Sequence, residues 1–246
     1  MCYTTAVNVF ASPQFIPATT LTSALVSDYL FRGQRLAGLS LQPAVELNTG
    51  ESVAGIAANF PVRDKDASQS DPEVDFYASH SFSANDEWRI APGFTFYTYS
   101  HVRTRIGYFR SIFEPSIALS HTVAGVRITA TCYYDLTRKG PTFELTGAVA
   151  LPLKTLGTEL DLTANLGDYR LRDAFKNALS RKKLWGNYWS FGASVPFQIT
   201  PASNIRIGVS YNAGFNSYIK HGAAPRTKNP LAARRASAQV GYSLSF

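Results

Sequence analysis

No stretch of this 246-residue chain approaches the roughly eighteen unbroken apolar residues that a membrane-spanning helix requires. The longest uncharged run, residues 1–27, is interrupted by Pro13 and Pro17 and carries many Thr and Ser residues. It also lacks a basic start, so it does not read as a complete secretory signal. Cysteine is nearly absent. Cys2 falls in the uncharged lead and Cys132 in a predicted strand, which leaves no disulfide framework. There is no Cys-x-x-Cys, the four histidines are not at zinc-ligand spacing, and no glycine-rich phosphate loop occurs, so neither metal nor cofactor is expected. Charge is sparse too, at 17% of residues against the usual quarter. The excess of bases, +7 overall, sits between the predicted strands without an interleaved aromatic platform, and a nucleic-acid partner is not expected.

What the chain does have is alternation with a period of two, repeated along its length. At the C-terminus Ala236, Ala238, Val240, Tyr242, Leu244 and Phe246 share one parity, and Ser237, Gln239, Gly241, Ser243 and Ser245 share the other. In a strand those sets point to opposite faces. Trp88, Ile90, Phe94 and Phe96 alternate in the same way with Glu87, Arg89, Gly93 and Thr95. Leu160, Leu162, Ala164 and Leu166 alternate with Glu159, Asp161, Thr163 and Asn165.

Strands are predicted at 20–32, 41–48, 51–61, 72–83, 86–99, 110–121, 125–135, 141–152, 157–168, 187–199, 204–215 and 235–246. Five connections are tight (48–51, 83–86, 121–125, 152–157 and 200–204). The others are generally longer, with 167–186 and 216–234 the most extended. Tight turns on one side and long loops on the other are the pattern of transmembrane up-and-down antiparallel β-barrels, with the short turns periplasmic and the loops extracellular. The expected fold is therefore all-β: an uncharged lead over 1–18 and one twelve-stranded barrel over 19–246. A soluble sandwich or lipocalin-like barrel gives the same alternation with the faces exchanged. Strand length, segregation of the turns, and aromatics near strand ends favour the membrane. Those aromatics are Tyr29, Phe31, Phe82, Trp88, Tyr134, Trp185, Trp189, Phe215 and Phe246.

The charged residues assigned to strands all take the parity opposite their apolar neighbours. They are Asp28, Arg32, Glu46, Glu73, Asp75, Glu87, Arg89, Glu114, Arg127, Glu144, Glu159, Asp161 and Arg206. All are expected to face the lumen, because a charge against lipid costs about 2–4 kcal/mol at mid-membrane. The acids outnumber the bases, so an open lumen would favour cations. Pairing of Glu with Arg across the barrel is the alternative. Asp28 and Arg32, four residues apart on one face, are a candidate inward ion pair. Strand spacing and tilt give a backbone cylinder of roughly 12 Å radius, room for ions and small solutes at most. Among the loop bases, Arg170, Arg172, Lys176, Arg181, Lys182, Lys183, Arg234 and Arg235 are candidates to bind lipopolysaccharide phosphates. A merely solvated charged rim is the competing reading.

The segment Val26-Ser27-Asp28-Tyr29-Leu30-Phe31-Arg32-Gly33, followed by Leu41-Gln42-Pro43-Ala44-Val45, resembles the first strand of the TorF-type porins, a family of bacterial outer-membrane proteins. The terminal Tyr242-x-Leu244-x-Phe246 resembles the general targeting signal read by the barrel assembly machinery. The resemblance implies a bacterial outer-membrane location and a channel for passive passage of ions or small solutes. Two further classes stay open. A non-conducting structural or lipopolysaccharide-interacting barrel has the same sequence pattern. An outer-membrane lipid hydrolase would need a His-x-Ser pair, and the four histidines are followed at that spacing by Phe82, Arg103, Val123 and Ala223. Oligomeric state is not indicated.

Overall fold

The computed structural model describes residues 18–63, 72–85, 87–101, 109–172, 183–215, 217–218, 227–228 and 233–246. The strands of the main sheet are β1 (Ala18–Val26), β2 (Ser40–Asn48), β3 (Ser52–Pro61), β4 (Glu73–His80, continued by Phe82–Ser83), β5 (Trp88–Tyr99) and β6 (Ser111–Val123). They continue as β7 (Val126–Asp135), β8 (Gly140–Leu153), β9 (Thr158–Arg172), β10 (Lys183–Thr200), β11 (Ser203–Phe215) and β12 (Arg234–Ser245). Each strand pairs antiparallel with the next, and β12 pairs back onto β1 from Thr20↔Ser245 to Val26↔Gln239. Reciprocal bonds of 3.0 Å between Thr19 and Phe246 finish the seam. The ring is closed. No sheet edge is left for the bilayer to solvate, which is the condition for strands to cross it.

The two faces are inverted relative to a soluble protein. Leu25, Val45, Ile56, Ile117, Leu145, Phe191, Val209 and Val240 are all exposed on the outside. Ser40, Asn59, Glu73, Asp75, Glu114, Thr142 and Asn165 are buried within the ring. This arrangement excludes the soluble sandwich, whose oily residues would fill the interior.

Local chemistry sets the turns. Val123 pairs with Val126 across Ala124 and Gly125, both at positive φ, the two-residue hairpin turn that matches strand twist. The β8–β9 turn is a short 3₁₀ segment, Lys154–Leu156, closed by Gly157 in the left-handed region. At the same short-turn end Trp88 stacks on His121 at 4.3 Å, and His80 meets Phe82 edge-on at 4.5 Å, as amphipathic side chains do at a membrane–water boundary.

Several expected boundaries move. The region expected to loop over 167–186 is partly strand: β9 runs 15 residues to Arg172 and β10 runs 18 from Lys183, making one wall taller. Glu87 lies in the turn before β5, where its N–H bonds the Asn85 side chain, and not on the strand. The largest departure is at the first strand. It stops at Val26, and the chain turns at Ser27 and Asp28 into a small hairpin, Tyr29–Phe31 paired with Gln34–Ala37. Residues 1–17 lie outside the described residues.

Candidate functional site

The inner hairpin begins between β1 and β2 and its side chains reach much of the ring. At its tip Arg32 (φ 48°) and Gly33 (φ 73°) form a two-residue turn between Phe31 and Gln34. A side-chain-bearing residue resists that left-handed conformation, so the tip needs compensating contacts. It has them. Arg32 donates two bonds of 2.8 Å to the Glu114 carboxylate on β6, and its guanidinium lies 4.7 Å from the Tyr133 ring centre on β7. Tyr29 donates to Glu73 on β4 at 3.1 Å, and Gln34 donates to the Tyr169 hydroxyl on β9 at 3.1 Å. The Gly33 carbonyl accepts the Ala233 N–H at 2.9 Å, just ahead of β12. Phe31 packs against a small apolar cluster of Tyr97, Tyr99 and Ile112 on the inner face of β5 and β6.

Asp28 secures the base of the hairpin. Its carboxylate accepts from Arg35 at 2.6 Å and from Arg235 at 2.9 Å, while its backbone N–H and C=O both bond the Ser237 hydroxyl. Burial pushes the Asp28 carboxyl up, but the hydrogen bonds and charges of Arg35 and Arg235 outweigh it and leave the group below its ordinary value. For Arg32, burial works against the charge, and the adjoining Glu114 carboxylate more than compensates, holding the guanidinium ionised. The expected Asp28–Arg32 pair does not form. Once the strand ends at Val26 the two residues no longer share a face, and each takes another partner.

Elsewhere the wall charges are laid flat. Glu46, Gly55 and Tyr77 occupy one rung across β2, β3 and β4. The Tyr77 ring lies over Gly55, where a Cβ would come within 2.4 Å of it, and its hydroxyl donates to Glu46 at 2.8 Å. Glu144, Gly167 and Tyr188 repeat the device across β8, β9 and β10, with a hydroxyl–carboxylate distance of 2.5 Å. Glycine on the middle strand lets the ring reach two strands along the wall without projecting into the lumen. Arg206 on β11 bonds both Asp161 and Ser194. Glu73, Asp75 and Glu114 are buried on the inner face; Glu159 is exposed at the second rung of β9, opposite Pro152.

Between the hairpin and the short-turn end lies a cavity of about 540 Å³, whose lining includes Tyr29, Arg89, Arg127, Asp161, Asn165 and Arg206. Hydroxyl, amide and guanidinium groups share its surface with small apolar side chains, and the polar groups offer partners to water and polar solutes. Of the loop bases, Arg234 stacks on the outward Phe215 ring at 4.7 Å, and Arg170 is exposed at the top of β9. Arg235 is corrected as a rim residue: it takes the parity of Ser237 and turns in to Asp28. Lys176, Arg181 and Lys182, with the side chains of Arg172 and Lys183, lie outside the described residues. Tyr242 and Phe246 are exposed on the outer face at the seam with β1.

The sequence reading missed the hairpin and misplaced Tyr29 and Phe31, which leave the interfacial aromatics and turn inside. A signal was available. Tyr97, Tyr99, Ile112, Tyr133, Tyr169 and Tyr188 all take the inward parity toward the long-loop end, and oily groups inside a pore wall need something to pack against.

No family model matches the chain, and no curated protein does. Solved structures do. A KdgM porin aligns over 93% of this chain and 99% of its own with TM-score 0.57 at 10% identity. The fold is that of the KdgM and NanC porins. The NanC porin aligns over 92% of this chain and 98% of its own, with TM-score 0.52 at 12% identity. A second KdgM structure, in complex with disordered oligogalacturonate, has TM-score 0.53 at 10% identity. At such identities the likeness to these porins is one of architecture: an up-and-down twelve-stranded barrel of the same length.

Proposed function

We propose that this chain is a porin-like channel of the bacterial outer membrane, passing ions or small solutes through a lumen that the 29–37 hairpin narrows at its extracellular end. One observation carries the reading: a closed ring, oily outside, encloses a polar cavity that extends from the hairpin to the short-turn end. Only a bilayer gives the outside a matching solvent, and only a watery path makes use of the inside. The KdgM and NanC architecture supports it. Membership of the TorF-type porins is proposed on the 26–33 motif, which runs from the end of β1 through the first arm and tip of the hairpin. Arg170 and Arg234, outward at the rim, are the proposed contacts to lipopolysaccharide phosphate, and the Tyr242-x-Leu244-x-Phe246 ending is the proposed signal for barrel assembly.

A barrel closed at rest is favoured by one feature, the span of the hairpin from β1 to β7. Planar-bilayer recording of the full chain, beside a form with residues 29–37 replaced by a short Gly-Ser turn, separates the cases. Discrete conductance steps in the full chain, larger in the replaced form, support the channel. Steps in the replaced form alone support closure at rest. Silence in both overturns the proposal.

A further inference from the structure

Among the described residues the lumen pairs its arginines with acids, with two exceptions. Arg32 holds Glu114, Arg35 and Arg235 hold Asp28, and Arg206 holds Asp161. Arg89 on β5 and Arg127 on β7 both line the cavity, and among the described residues neither has a hydrogen-bond or ion-pair partner. They are also close enough to feel each other's charge. Two like charges with empty donor forks are an unfavourable arrangement in a wall that elsewhere satisfies its groups, unless the missing acceptor comes from the solute.

We propose that Arg89 and Arg127 form a carboxylate-binding subsite in the lower lumen, so that the pore selects small hydroxylated organic anions. The proposal rests on the channel reading above and gives it a solute class.

The register supports it. Arg89 shares a rung with Ser120 on β6 and Thr129 on β7, and Arg127 shares the next inward rung with Thr122. Two strand spacings across and two residues along place the two Cα atoms about 12 Å apart. Arginine side chains of ordinary length close that gap from both sides onto one carboxylate, each offering the planar fork that fits it. Between them the Ser120 and Thr129 hydroxyls, bonded to each other at 2.9 Å, lie where a solute's own hydroxyl groups would find partners. Glu87 is the opposing charge on this part of the lining, and it makes no ion pair with either arginine among the described residues. Arg206 adds nothing net, being joined to Asp161. Along the lining of this cavity two positive groups therefore stand against one negative. Of the acids expected to favour cations, Asp28, Glu114 and Asp161 are joined to arginines, while Glu46 and Glu144 keep their charge under tyrosine hydroxyls but, like Glu159, do not line this cavity.

The test uses the intact barrel, with gluconate as the probe. Reversal potentials are measured in a tenfold KCl gradient, and gluconate binding to detergent-held protein is measured by equilibrium dialysis. Folding of each variant is checked by its heat-modifiable migration. The native protein should prefer anions and bind gluconate, while Arg89→Gln with Arg127→Gln should abolish the preference and weaken binding at least tenfold. The Lys,Lys variant should keep the anion preference but bind gluconate several-fold more weakly, having charge without the fork. A cation-preferring native pore, or a double Gln variant with unchanged selectivity and affinity, would overturn the subsite and leave the channel standing. Arginine-dependent gluconate binding in a barrel that never conducts would do the reverse.

Discussion

Arg32 and Glu114 are joined by two parallel N–H···O bonds of 2.8 Å, and this pair fastens the hairpin tip to a wall it enters from four strands away. Glu114 is 2% exposed, and it also accepts a bond from the Tyr97 hydroxyl at 3.1 Å. Removing the guanidinium strands a buried carboxylate, a loss of about 3–5 kcal/mol for one partner of such a pair. Arg32→Ala should therefore release the tip and lower barrel stability in urea, with at least a doubling of single-channel conductance. The double variant Arg32→Ala, Glu114→Ala should conduct like the single one yet recover part of the lost stability, because no orphaned charge remains.

Gly33 tests the same closure without touching a charge. A Cβ there would lie 2.6 Å from the Tyr188 Cβ and 2.7 Å from the Gly214 Cα, atoms fixed to β10 and β11, and φ is already +73°. Neither neighbour can yield cheaply. Gly33→Ala should displace the hairpin and raise conductance while heat-modifiable migration stays native. Gly125→Ala is the control. At φ +79° with nothing within 4 Å of the added carbon, it should lose about 1–2 kcal/mol to backbone strain and leave conductance unchanged.

Asp28 gives the closure a pH dependence whose sign is fixed. Its pKa in the folded state lies below the ordinary value of about 3.9, so its tether to Arg35 and Arg235 is at full strength above roughly pH 5. The tether weakens as pH falls through the folded value, when the carboxylate takes a proton and both arginines lose their acceptor. Conductance should be flat from pH 7 to pH 5 and rise on further acidification. In Asp28→Asn the conductance at pH 7 should already match the acid-treated native level, and this part of the acid response should vanish.

Most of the barrel was legible because its solvent boundary is written with a period of two, and a closed antiparallel ring leaves little freedom once the turns are placed. Gly125 and Gly157 marked their turns, and the parity of Glu46, Glu144 and Arg206 gave their face. The hairpin was not legible by the same means. Tyr29-Leu30-Phe31 alternates just as β1 does, and a strand that bends inward after Val26 differs from one that continues only by the partners waiting inside, which lie from 44 to 209 residues further along. Pairing was hidden for the same reason: parity says that Glu114 faces the lumen but not that Arg32 crosses it to meet it. The acids were counted as free charge, whereas Tyr77 and Tyr188 each reach across a glycine to cover one.

The membrane assignment has its own test, one that does not involve conduction. Leu145 and Ala148 lie mid-way along β8 on opposite faces; Leu145 is 46% exposed on the outside, and Ala148 lines the cavity. Arginine at Leu145 would put a guanidinium into hydrocarbon, where the loss is about 2–4 kcal/mol at mid-membrane. At Ala148 the same side chain enters the watery lumen and finds Asp161 and Asn165 on the same lining. Equilibrium unfolding from lipid vesicles in urea should show Leu145→Arg destabilised by that amount and Ala148→Arg by less than about 1 kcal/mol, as lumen substitutions are tolerated. The opposite ranking would mean that the exposed face of β8 meets water, and the barrel would then have to be a soluble one.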